Sequence, residues 1–317
     1  MNRILVTGGA GFIGSHLCEH LLRIGRQVIV VDNLDDFYDP HLKRANLAAI
    51  KSAGEYEFYD VDIRDSSGLE AVFKKTRPEA VVHLAARAGV KPSLIYPALY
   101  ASVNVDGTLN VLELSRKWGM QRFVYASSSS VYGLFNRVPF SEEDPISKPL
   151  SVYAATKAAG EMLAFTYSRL YQLPTICLRI FTVFGPRQRP DLAIRKFAQL
   201  IQAGGELPLF GDGSMSRDYT YVSDAVAAID QALACSFPFE IFNLGNSRPI
   251  RLDYMIDTLE RAMGKTTVRN HLPTGAEEMP ITFASLEKSR SMLGYSPRVS
   301  FEEGIRLFVE WFKSCYT

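Results

Sequence analysis

The sequence predicts an α/β protein, a doubly wound parallel sheet followed by a smaller α+β lobe, and three observations predict it. Strand-like and helix-like runs alternate through the first 180 residues, the pattern of a parallel sheet covered on both faces. A glycine triplet, Gly8, Gly11 and Gly14, sits where the first strand turns into the first helix. Beyond residue 180 the alternation breaks down, and short strands are scattered among amphipathic helices.

Taken in order, RILVT (3–7), QVIVVD (27–32), YEFYDVD (56–62), AVVHLAA (80–86), RFVYASS (122–128) and TICLRIF (175–181) are rich in Val, Ile, Phe and Tyr and read as strands. Most are near-continuously apolar rather than alternating, as strands buried on both faces must be. Helical periodicity fills 12–24, 66–75, about 97–118 and 152–172. The second part reads as a helix over 191–203, a strand LPLF (207–210), a helix over 223–235, a strand FEIFNLG (239–245), and helices near 252–263, 285–293 and 301–313. A ligand crevice is expected at the carboxyl ends of the strands, between the two parts.

Bulk composition excludes several classes. The 317 residues are 47% hydrophobic and 22% charged, with Lys+Arg 35 against Asp+Glu 34. So balanced a charge gives no global electrostatic case for nucleic acid or membrane partners. No apolar run approaches the ~20 residues of a membrane span, and MNRILVTGG runs directly into a strand without a basic and apolar leader. The four cysteines, Cys18, Cys177, Cys235 and Cys315, are scattered with no CxxC pair and read as reduced thiols, so a cytoplasmic protein is expected. No His/Cys/Asp cluster has metal-ligand spacing, and no metal is expected.

VTGGAGFIGSH is the first stretch that carries chemistry. Glycines directly after a strand let the backbone turn tightly and approach a pyrophosphate, and the following helix offers it unpaired N–H groups and a positive dipole end. The next strand ends in Asp32, where a carboxylate accepts hydrogen bonds from ribose hydroxyls and repels a 2′-phosphate, which favours NAD over NADP. The first 180 residues therefore read as an NAD-binding Rossmann domain, with a return segment at 219–248, and residues 181–317 as the substrate lobe. Lys43 and Arg44 read as a solvated helix face.

PLSVYAATKAAGEM is the second. Tyr153 and Lys157, four apart on a helix, share a face. A free tyrosine, with a pKa near ~10, is a poor base at neutral pH. An ammonium one turn away stabilises the phenolate, as does the positive ring of NAD⁺. The strand ending ASSSSVYG presents Ser127 to Ser130, and Ser128 is expected to hold the substrate oxygen beside Tyr153. His83 ends a buried strand and reads as structural.

Together the TGxxGxxG glycines, LAA at 84–86, Asn104, the serine strand and YxxxK resemble the extended short-chain dehydrogenase/reductases over essentially the whole chain. The resemblance implies a Rossmann-like fold and a cofactor site of Gly8, Gly11, Phe12, Ile13, Gly14, Asp32, Asn33, Leu84, Ala85, Ala86, Asn104, Tyr153 and Lys157, with Asp62 and Ile63 on the adenine side. SRDYTYVSD (216–224) is similar to the sugar-nucleotide branch, which implies Arg217 on the nucleotide pyrophosphate and Glu278 on the nucleotide ribose. The resemblance also implies a homodimer, in which the helices near 97–118 and 152–172 pair with their mates.

That branch contains epimerases, 4,6-dehydratases and decarboxylases. Its dehydratases carry an Asp-Glu pair, and related decarboxylases a Glu, just before their Val-Tyr-Gly. Here Ser129 and Ser130 hold those positions, which argues against dehydration and, less strongly, against decarboxylation. RIFTVFGPRQRPD (179–191), with Thr182 where hexose 4-epimerases usually have Asn, resembles the UDP-glucuronate 4-epimerase group, as do DNLDDFYDPHLKR (32–44), AARAGVKPS (85–93), EEMPITFAS and GIRLFVEWF. The resemblance implies NAD-dependent interconversion of UDP-glucuronate and UDP-galacturonate. Ser128, Ser129, Ser130, Thr182, Arg189, Gly89 and Val90 are then the substrate contacts. Arg187 reads as solvent-facing, and Arg87 stands where the matched segment has Gln, with no role assigned. A UDP-glucose/UDP-galactose 4-epimerase, a UDP-glucuronate decarboxylase and a non-catalytic NAD sensor on the same fold remain alternatives.

Overall fold

The structure, a computed structural model, describes residues 1–133, 137–273 and 279–316. In chain order it contains β1 (Arg3–Thr7), α1 (Phe12–Arg23), β2 (Gln27–Val31), α2 (Pro40–Ala53), β3 (Glu57–Tyr59), α3 (Ser66–Thr76), β4 (Ala80–His83), α4 (Val90–Ile95), α5 (Pro97–Ala101), α6 (Gly107–Lys117), β5 (Arg122–Ser128), α7 (Val152–Tyr171) and β6 (Thr175–Ile180). These are followed by β7 (Thr182–Phe184), α8 (Ala193–Ala203), β8 (Leu207–Phe210), β9 (Ser216–Tyr221), α9 (Val222–Ala234), β10 (Phe239–Leu244), β11 (Pro249–Arg251), α10 (Leu252–Met263), β12 (Arg269–Leu272), β13 (Ile281–Thr282) and α11 (Phe301–Tyr316).

Seven strands form one parallel sheet in the order β10-β6-β5-β4-β1-β2-β3. Successive side chains of a strand point to opposite faces, and β1 divides accordingly. Ile4 and Val6 pack with Leu17 and Leu21 of α1, Ile50 of α2 and Ile229 of α9. Leu5 on the other face packs with Leu69 and Phe73 of α3 and Val111 and Leu112 of α6. Every residue of β5 is buried, including Arg122 at its start and Ser127 and Ser128 at its end, so its Phe123–Ala126 centre does not alternate with polar residues. β10 is the seventh strand, beside β6, so the main sheet draws on residues as late as Leu244. A second sheet is built on β9, with β11, β13 and β7 as its partners, and β8 pairs with β12.

Several expectations need correction. The apolar runs overrun the strands, which end at Val31, Tyr59, His83 and Ile180; one further backbone bond follows at Asp32, Leu84 and Phe181, which line the crevice. The helix expected over about 97–118 is α5 and α6 joined by a π-helical turn at Ser102–Asp106. The stretch near 285–293 is mostly another π turn, at Ser289–Leu293. α2 was absent from the periodic stretches, although Asp39 caps it by accepting from the His41 N–H and Pro40 occupies its first turn. Thr182 does not end a strand of the main sheet. It begins β7, paired across from Tyr219 of β9, after the chain leaves the main sheet at Phe181.

Candidate active site

The carboxyl ends of β1, β2, β4, β5 and β6 open on a cavity of about 500 Å³. At one end the β1–α1 turn forms the floor. A Cβ on Gly14 would stand 2.2 Å from the Gly8 carbonyl oxygen, and one on Gly8 would stand 2.7 Å from the Ala85 nitrogen. Gly8 also has φ +69, a conformation that favours glycine. The turn is therefore closed against both its own helix and the β4 loop, and only glycine fits. Gly11 caps α1 without a side-chain acceptor, so the helix start is open to an anion. These features fit the pyrophosphate of NAD.

Asp32 stands behind this floor. Its carboxylate accepts from the Ala10 N–H at 3.1 Å and the Leu34 N–H at 2.9 Å. Burial raises its pKa, against the pull of Lys43 and of those N–H groups. Lys43 is not solvated as expected. It is buried, with Nζ 3.8 Å from Asp32 and over the Tyr38 ring, and it lines the cavity; Arg44 is exposed. Asn33 donates to Asp62 at 2.9 Å at the rim, and Ile63, Leu84, Ala85 and Ala86 complete that wall with Phe12 and Ile13.

The other end holds Ser128, Ser129, Ser130, Tyr153, Lys157, Thr182, Arg189, Gly89 and Val90 in one lining. Ser151 caps α7, accepting from the Ala154 N–H, and so fixes the first turn that carries Tyr153. Ser128 is the last residue of β5, and its hydroxyl accepts from the Ser130 N–H, which starts a 3-10 turn at Ser129–Tyr132. Burial raises the Tyr153 pKa, while the Ser128 hydroxyl and the Arg189 charge favour its phenolate. The Lys157 ammonium donates to the Ala126 carbonyl at 2.7 Å, and burial pushes its pKa down to about 8 against the opposing pull of Glu161.

Arg189 is held by a two-point contact with Asp191, at 2.9 and 2.8 Å. Its guanidinium lies 5.6 Å from the centre of the Phe37 ring, and Arg87, paired with Asp35 at 3.1 Å, lies 5.4 Å from the same ring. Sequence reasoning missed Phe37, Tyr38 and Lys43 as lining residues and left Arg87 unassigned. The aromatic-acidic run 32–44 was the available signal.

Two predicted residues lie outside the lining. Asn104 does not line the cavity. It is buried, accepts from the Arg87 N–H at 2.8 Å, and donates to the Arg87 carbonyl and to Thr156, so it holds the loop after β4 in place. Arg217, on β9, is also outside the lining, donating to the Ser216 and Met279 carbonyls. Glu278 falls outside the described residues. Arg187 is not solvent-facing: it pairs with Glu19 and His16 of α1. His83 bonds to Thr7 at 2.7 Å and Thr108 at 3.0 Å within the core. The described residues hold no cluster of potential metal ligands and no helix long and apolar enough to cross a membrane.

A glycine cradle at the head of a parallel sheet, opening on the same cavity as a Tyr–Lys pair, defines the class: an extended short-chain dehydrogenase/reductase with NAD as its cofactor. The model of the NAD dependent epimerase/dehydratase family matches residues 4–245, and the chain belongs to that family. A UDP-glucuronate 4-epimerase of Thermodesulfobacterium geofontis is 41% identical over 314 residues, 99% of this chain and 97% of that protein. A solved UDP-glucuronic acid 4-epimerase from Bacillus cereus, in complex with UDP-glucuronic acid and NAD, superposes with TM-score 0.92 at 33% identity, covering 99% of each chain. A UDP-glucose 4-epimerase from Thermotoga maritima, with UDP-glucose, gives TM-score 0.92 at 36% identity, covering 100% of each.

Proposed function

We propose that this chain catalyses the NAD-dependent 4-epimerisation of UDP-glucuronate to UDP-galacturonate. The observation that carries the reading is the cavity lining that Tyr153 shares with Ser128, Ser129, Ser130, Thr182 and Arg189, with serines where dehydration would need carboxylates. Full-length similarity to UDP-glucuronate 4-epimerases supports it.

Gly8, Gly11 and Gly14 would hold the pyrophosphate of NAD at the start of α1, and Asp32 would take the ribose hydroxyls. Bound there, NAD would supply the hydride acceptor for C4 of the sugar. Ser128 orients the C4 oxygen, and Tyr153 takes its proton and gives it back. Lys157 anchors to Ala126 and keeps the cofactor side of the tyrosine cationic. Arg189, already engaged by Asp191, screens the C6 carboxylate without clamping it, which leaves the 4-keto sugar free to turn over. The short hydroxyls hold the C5–carboxylate bond out of alignment with the keto group and so suppress loss of CO₂.

The chain is proposed to work as a homodimer. Met162, Phe165, Leu170 and Tyr171 on α7 and Leu109 on α6 are exposed apolar side chains that a mate would cover. Four unpaired cysteines suit the reducing cytoplasm.

An NMR product assay tests the reaction. Incubated without added cofactor, the protein should interconvert UDP-glucuronate and UDP-galacturonate and leave UDP-glucose unchanged. Turnover of UDP-glucose alone would replace this reading with the hexose epimerase that the Thermotoga likeness favours. A pentose product would replace it with the decarboxylase.

A further inference from the structure

The loop that carries Arg189 is tied to the helix that carries the cofactor site. Arg187 has φ +64, a left-handed conformation that a residue with a side chain adopts only when its surroundings hold it there. Its guanidinium pairs with Glu19 of α1 and meets His16 Nδ1 at 2.7 Å, and all three side chains are largely withdrawn from solvent. A guanidinium only donates, so His16 Nδ1 must accept and its proton sits on Nε2, which donates to the Pro186 carbonyl at 2.9 Å. The clasp thus grips two consecutive loop residues, one by its side chain and one by its backbone. On the far side the Gln188 carbonyl accepts from Arg195 of α8 at 2.5 Å. The left-handed turn sends the Arg187 side chain towards α1, while Arg189, two residues on, lines the cavity.

We propose that Arg187 is a positioning residue that registers Arg189, and with it recognition of the sugar carboxylate, to the cofactor helix α1. The proposal rests on the reading of the site as one for an acidic UDP-sugar. His16 and Glu19 contribute geometry only; neither lines the cavity.

The test compares wild type with Arg187→Met, Arg187→Lys and Glu19→Gln for three quantities: KM for UDP-glucuronate, the competitive Ki of UDP, and NAD retained on purification. Displacing a positioned group by a fraction of an ångström costs about tenfold or more. Arg187→Met and Glu19→Gln should therefore raise KM for UDP-glucuronate about tenfold, with UDP Ki and bound NAD within about twofold of wild type. Arg187→Lys, which keeps the charge, should fall between. A parallel rise of KM and UDP Ki would mean that the clasp is only structural and would overturn the proposal, as would no change in any variant. If Arg187→Met does not fold, Glu19→Gln carries the same comparison without altering the loop. Failure of wild type to act on UDP-glucuronate would instead reject the functional reading itself.

Discussion

At Tyr153, burial disfavours the phenolate, and the groups that oppose burial are Ser128 and Arg189. Removing the Arg189 charge should therefore raise the tyrosine pKa further. In Arg189→Met the alkaline-rising limb of kcat/KM should move to higher pH, read from a pH–rate profile, whereas a purely steric loss would lower the whole profile without moving it. The Tyr–Lys pair was legible because four-residue spacing puts two side chains on one helical face whatever else surrounds them. The glycine triplet was legible because closeness of backbone to backbone admits nothing larger. The destination of the Lys157 ammonium was not legible, since it depends on a carbonyl at the end of another strand. Lys43 misled for the same reason: a lysine on an amphipathic helix reads as solvated until the fold brings Asp32 beneath it.

Between elements, α7 is fastened to the sheet by a buried ion pair. Glu161 accepts from Arg179 of β6 at 2.9 and 3.0 Å and from the Ser127 hydroxyl of β5, and both charged side chains are only 3% exposed. Taking one partner from such a pair leaves a buried uncompensated charge, at a cost of about 3–5 kcal/mol. Glu161→Ala should lower the urea unfolding midpoint accordingly, and a small change would mean that water reaches Arg179. The long strands and helices of the main sheet were legible because burial on both faces imposes an unbroken apolar pattern. β7, β11 and β13 were not: two or three residues carry no period. The π turn within the helix near 97–118, which holds Asn104 against Thr156, was equally hidden, because five residues of it do not change the helical period enough to read.

Over the whole molecule, acid should act through two histidines. Burial, with the Arg187 charge added at His16, pushes His16 down to about 4 and His83 to about 3. Both are neutral when folded and would take a proton when unfolded, so their contribution is complete above pH 6.5 and is lost as pH falls towards those values. Unfolding free energy should therefore decline steadily below about pH 6.5, measured by urea titration, and His83→Gln should flatten that decline if it still folds. Assembly is the second prediction at this scale. If the chain dimerises through α7 as proposed, wild type should sediment as a dimer and Met162→Glu with Leu170→Glu as a monomer, and a monomeric wild type or a persisting dimer would overturn that interface. The seventh strand of the main sheet comes from far down the chain, within the stretch 219–248 expected to return to the first part. That placement has a consequence for synthesis. Until residues 239–244 leave the ribosome, β6 has an open, apolar edge on a sheet that is otherwise ready to close. An unpaired edge of that kind invites strands from other chains. A nascent chain stalled before β10, or a fragment cut after residue 180, should therefore depend on chaperones and accumulate as aggregate, however well its nucleotide cradle has formed.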